Sequence, residues 1–210
     1  MLAKGTVMRF TIRSSMTAIA VAILLLVATQ IFYMAVVYPA GPETVLRPIT
    51  WMVDMAGFTL VTVASLVLMA RAPSAPLVWA SIAVGGLVNM IQVGMGLAMF
   101  PPAAAVMEQT PALFDTVLKG AFFLYFTGKI LFSLAAVAMG RALLGLGTGA
   151  SKALGGVTVL AGVAATILNI IALPTGLDWM MPAGASGTLA SALLALAILL
   201  LRKGFVEAAD

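Results

Sequence analysis

At 210 residues the chain has the length of one domain, but 63% of it is hydrophobic and only 9% is charged, a balance no soluble fold of this size can bury. It has neither cysteine nor histidine, which removes disulfides, thiolate nucleophiles, the usual zinc, copper, haem and iron–sulfur ligands, and the commonest general base near neutral pH. The net charge of +4 is scattered over span ends with no basic patch interleaved with aromatics, so neither a nucleic-acid partner nor a cofactor is expected.

Six apolar blocks, each near the roughly 20 residues that cross about 30 Å of hydrocarbon, are read at 17–37, 51–70, 77–100, 119–140, 153–173 and 183–201. Lys4, Arg9 and Arg13 precede the first block as they would in a signal peptide. The run nevertheless continues past Gln30 to Val37 without a convincing small-residue cleavage site, so it is expected to be a retained anchor. The longest loop, 101–118, ends in Thr110 and Pro111, which resemble an N-cap and a first helical residue, and Asp115 and Lys119 are spaced for an i,i+4 pair. The fourth helix should therefore start about two turns before it enters the hydrocarbon.

Orientation follows from the basic residues of the short loops. With the N-terminus inside, the inner side holds Lys4, Arg9, Arg13, Arg71, Arg141, Lys152, Arg202 and Lys203, while the outer side holds only Arg47 and Lys119. The expected fold is an all-α polytopic membrane helix bundle: one transmembrane domain over 1–210, with six spans as three hairpins. Both termini are cytoplasmic and the setting is a bacterial inner membrane. Pro39, Pro101 and Pro174 stand near the ends of the outward-going helices, and Arg71, Arg141 and Arg202 near the ends of the returning ones. This threefold pattern fits duplication. It also fits topology alone, because proline stops helices and arginine anchors inner ends.

Function has to rest on polar side chains inside the spans. Lys129 lies near the middle of the fourth, where an ammonium costs about 2.5–3.5 kcal/mol on insertion scales and so should face protein or water. At 100° per residue it shares a stripe with Phe122, Tyr125, Ser133, Ala136 and Gly140. The third span carries a similar stripe of Ser81, Gly85, Asn89, Gln92 and Gly96, while Gln30, Asp54 and Asn169 add polar groups from the first, second and fifth spans. For Gln30 and Asn169, hydrogen bonding between packed helices is the simpler role, and Asn89 and Gln92 suit either role. Lys129 could pair with Asp54, snorkel to an interface or bind a ligand; Asp54 is near enough to the outer interface to be solvated.

Enzyme readings fare badly, since only one carboxylate lies near the membrane interior and Ser133 beside Lys129 has no accompanying oxyanion-hole motif. The leading expectation is a small carrier or ligand-binding protein, with Lys129 taking an anionic or polar small molecule or a lipid, and Asn89, Gln92 and Tyr125 orienting it. The competing expectation is a non-catalytic scaffold or accessory subunit, whose partners beyond the lipid bilayer would be a second copy or another membrane protein. From Lys129 through AMGRALLGLGTGASKALGGVTVLAG to LLLRKG the sequence resembles the second half of uncharacterised bacterial six-helix membrane proteins known only as a domain of unknown function. That resemblance implies a fold and no activity.

Overall fold

A computed structural model describes residues 11–72 and 75–207, and all regular structure among them is helical. Lys4 and Arg9, counted above for orientation, lie outside the described residues. Helix α1 (Ile12–Phe32) starts where the Thr11 hydroxyl accepts from the Ser14 N–H at 3.1 Å, and it widens into a π-helical turn over Tyr33–Val37. The Tyr38 N–H there donates to the Tyr33 carbonyl at 2.7 Å, so the backbone stays paired up to Pro39. Helices α2 (Leu46–Arg71) and α3 (Pro76–Ala98) follow, then a short α4 (Phe100–Ala105), α5 (Pro111–Leu146), α6 (Gly149–Thr175) and α7 (Met180–Glu207).

The loop expected over 101–118 is thus interrupted by α4. Just past the end of α3 at Ala98, Pro101 and Pro102 lie in the first turn of this helix, where a residue has no intrahelical partner for the N–H that proline lacks. Helix α5 does begin at Pro111, and Lys119 pairs with Asp115 at 2.7 Å. Thr110 occupies the cap position without capping; its hydroxyl donates to the Val106 carbonyl at 3.4 Å. At the start of α6, Thr148 and Ser151 form a reciprocal capping box. Between α6 and α7 the chain turns at Gly176, whose φ of +62° is one an L side chain rarely adopts.

Five stretches are long and apolar enough to cross a membrane: Ile12–Val37, Leu46–Arg71, Pro76–Ala98, Pro111–Leu146 and Gly149–Phe205. The last comprises α6 and α7, which fold back on one another at Gly176. Large apolar side chains such as Val21, Leu60, Val84, Leu160 and Leu200 stand outward and exposed. Lipid solvates a surface of this kind and water does not.

The helix contacts close a ring. Helix α1 packs on α2, α2 on α3, α3 on α5, α5 on α7 and α7 back on α1, while α6 lies outside in the groove between α5 and α7. Among the described residues the backbone of α5 comes close to neither α1 nor α2, and α2 meets α5 through side chains across the ring's interior, where the Phe58 and Phe132 rings stack with centroids 6.4 Å apart. Small residues allow the close packing: a Cβ on Gly155 would fall 2.8 Å from the Gly140 carbonyl oxygen, and one on Gly162 would fall 2.8 Å from that of Ser133.

The two ends of the bundle differ. At the end holding the start of α1 and the end of α7, Met16, Leu68, Trp79 and Leu201 belong to one buried apolar cluster, with Trp79 edge-on to Phe205 at 5.7 Å. At the opposite end, hereafter the loop end, Tyr33, Trp51, Phe100 and Phe114 form a chain of ring contacts with centroids 5.8–6.3 Å apart. Aromatic belts of this type gather where hydrocarbon meets headgroups.

Candidate functional site

Lys129 stands on α5, 18 residues after Pro111 and 17 before Leu146, and is only 8% exposed. Its aliphatic stem lies against α7 at a glycine: a Cβ on Gly187 would fall 2.8 Å from Lys129 Cδ. The ammonium donates to Thr188 Oγ1 at 3.2 Å and sits 5.3 Å from the centroid of the Tyr125 ring, within cation–π range. One turn toward the loop end, the Tyr125 hydroxyl lies 3.1 Å from where Gly184 would carry a Cβ, and Thr188 also interacts with that hydroxyl. Gly184, Gly187 and Thr188 thus form on α7 the bed in which the phenol and the lysine rest. Thr188 itself gave no signal in the sequence, where a threonine among small residues reads as packing.

Asp54 answers Lys129 from the other side of the ring. It is half-buried on α2 and accepts a hydrogen bond from Thr29 on α1. The two charges are close enough to feel one another, yet no ion pair joins them within 4.0 Å among the described residues. The backbones of α2 and α5 are not in contact, and the two helices meet through the stacked rings of Phe58 and Phe132 instead. Each charge is held by one neutral hydroxyl on the neighbouring helix. The carboxylate expected to be solvated near the outer interface is partly exposed and also bound by Thr29, a partner that the α1–α2 contact supplies.

Asn89 on α3 is the third polar group. It is 1% exposed, and its Nδ2 donates to the Gly85 carbonyl at 2.8 Å. The amide lies directly on Gly128, where any Cβ would collide with it. Its Oδ1 is buried without a partner. On the same face of α3, Gly85 meets Phe132 of α5 and Gly96 meets Trp51 of α2, so this face looks into the ring.

Distances along the helices place these groups at one level. Asp54 is eight residues from Leu46, Thr188 eight from Met180 and Asn89 nine from Ala98, or about 12–14 Å below the loop end at 1.5 Å per residue. Gln92 and Gln30 are half-buried and make no hydrogen bond with the described residues.

Two sequence candidates lie elsewhere. The Ser133 hydroxyl donates to the Lys129 carbonyl at 2.7 Å rather than meeting the ammonium, so the two do not form a nucleophile–base pair. Asn169 joins α6 to α7, donating to the Ala165 and Ala183 carbonyls at 2.8 and 3.0 Å. Two surface clefts are also present. One of about 540 Å³ runs along α1 between Thr11 and Val21, and one of about 290 Å³ opens between α1 and α2, lined by Ala28, Thr29, Phe32, Ile49, Thr50 and Val53. The second reaches Thr29, the hydroxyl that holds Asp54.

The chain matches no family model, no curated protein and no solved structure. Any function must therefore be argued from the polar layer itself, which assembles an ammonium, a carboxylate and an unpartnered amide oxygen from three helices around a common interior.

Proposed function

We propose that this chain is a six-span inner-membrane protein with both ends in the cytoplasm, and that it acts as a small carrier or ligand-binding protein using a polar mid-membrane site centred on Lys129. The observation that carries the site reading is the unused capacity of the ammonium. It can donate three hydrogen bonds, and among the described residues its one hydrogen-bond partner is the neutral Thr188 hydroxyl. Burying a charge so thinly partnered is expensive unless something else completes its shell. In this reading Asn89, Gln92 and Tyr125 orient what binds, with Asp54 as the opposing charge.

The topology rests on two features. The basic residues collect at the end where the chain starts and stops, and the aromatic chain from Tyr33 to Phe114 occupies the other end. Reporter fusions after position 207 should read cytoplasmic, and fusions within 103–109 should read external. An external C-terminal reporter would invert the assignment.

The competing reading, a non-catalytic scaffold or accessory subunit, draws on the two clefts, which open at α1 and not at Lys129. Thermal unfolding of the purified protein with small polar molecules and with bilayer lipids separates the two. A carrier or receptor should be stabilised by one class of compound and lose that response in Lys129→Met; a scaffold should respond to none.

A further inference from the structure

The notable property of the polar layer is its balance. A buried ammonium on α5 and a half-buried carboxylate on α2 face one interior from helices whose backbones are not in contact, each engaged by one hydroxyl, with no ion pair between them. A site built for a simple anion would not set a carboxylate across from its only cation, because the anion would be repelled by Asp54 while being drawn to Lys129. A site built for a simple cation meets the converse objection.

Asn89 supplies a second, independent indication. Its Oδ1 is buried and unpartnered, on the face of α3 that carries Gly85 and Gly96. The amide is oriented by the Gly85 carbonyl, since a flipped amide would press two acceptors together. The interior therefore offers unused donors at Lys129 and unused acceptors at Asp54 and Asn89. A buried acceptor in this state awaits a donor.

From this geometry we infer that the ring interior takes a small zwitterion, its anionic group on the Lys129 ammonium and its cationic amine shared by the Asp54 carboxylate and the Asn89 carbonyl oxygen. The inference rests on the ligand-binding reading above and narrows it. Bringing in a molecule with no net charge leaves the layer neutral, which avoids carrying an uncompensated charge into a medium that solvates it poorly. Gln92, half-buried on the same face of α3 and without a partner, can donate to the anionic group or accept from the amine.

The test uses the full chain in detergent–lipid micelles and reads Tm with glycine, β-alanine, 4-aminobutyrate and 6-aminohexanoate, which bracket a range of charge separations. Butyrate and butylamine serve as the single-charge counterparts. A matched zwitterion at about 100 times its Kd should raise Tm by roughly 5–10 °C, with little effect from butyrate or butylamine. Removing one charge should switch the preference: Asp54→Asn should respond to butyrate, and Lys129→Met to butylamine.

If the wild type responds to butyrate as strongly as to any zwitterion and Asp54→Asn leaves this unchanged, the zwitterion assignment is overturned while Lys129 remains a ligand site. If no probe moves Tm in the wild type or in either folded variant, the site reading falls with it. Should Asp54→Asn fail to fold, Lys129→Met and butylamine carry the same comparison.

Discussion

Replacing Lys129 by methionine decides between two physical accounts of the buried ammonium. In the structure the side chain makes one hydrogen bond, to Thr188, and one cation–π contact, to Tyr125. Hydrogen bonds between membrane helices average about 0.6 kcal/mol and reach about 1.7, and a desolvated cation–π contact adds about 1–2 kcal/mol. Against that loss of about 2–4 kcal/mol stands relief from holding a charge in the span, about 2.5–3.5 kcal/mol. Methionine is of similar length and adapts its shape, so no large cavity follows. Lys129→Met should therefore change stability by no more than about 2 kcal/mol in either direction. Equilibrium unfolding in detergent–lipid micelles measures it. If Lys129 and Asp54 were instead a tight buried ion pair, removing one member would cost about 3–5 kcal/mol, and Asp54→Asn would restore the loss in the double variant. That rescue would refute the account of two charges held apart.

Other expectations follow from glycine contacts and one amide. Gly128→Ala forces a methyl into the Asn89 amide and should lower stability by about 2 kcal/mol or more. The loss should shrink sharply in an Asn89→Ala background, because the two positions share one contact. Gly155→Ala and Gly156→Ala should differ in sign although adjacent. The first meets backbone atoms of α5 at 2.8 Å, and the second has only Leu144 Cδ2 at 3.8 Å. Chemical unfolding should therefore show a loss of about 1–3 kcal/mol at Gly155 and a gain of up to about 1 kcal/mol at Gly156. Asn169→Leu removes the bond to the Ala183 carbonyl that ties α6 to α7 and should cost about 0.6–1.7 kcal/mol. Any probe response tied to Lys129 should survive it, since Asn169 lies outside the ring.

What the sequence determined by itself is what depends on neighbours along the chain. Apolar run length marked the helices, Pro111 marked the start of α5, and the i,i+4 spacing of Asp115 and Lys119 gave a real ion pair. Helical periodicity put Lys129 on a protein-facing stripe and Asn89 on an inward one, and both are buried. The same local logic misread 101–118 as loop, because Pro101 and Pro102 suit a helix's first turn as well as its end. Only the tertiary structure could decide which helices touch. That Thr188 receives Lys129, that Thr29 holds Asp54, and that Gly128 makes room for Asn89 depend on contacts between residues 59, 25 and 39 positions apart. No local pattern encodes such contacts, since an apolar helix in lipid shows almost the same hydropathy on the face it packs as on the face it exposes. The separation of Asp54 from Lys129 is likewise tertiary: both charges are plain in the sequence, but only the order of helices around the ring sets the backbones of α2 and α5 apart.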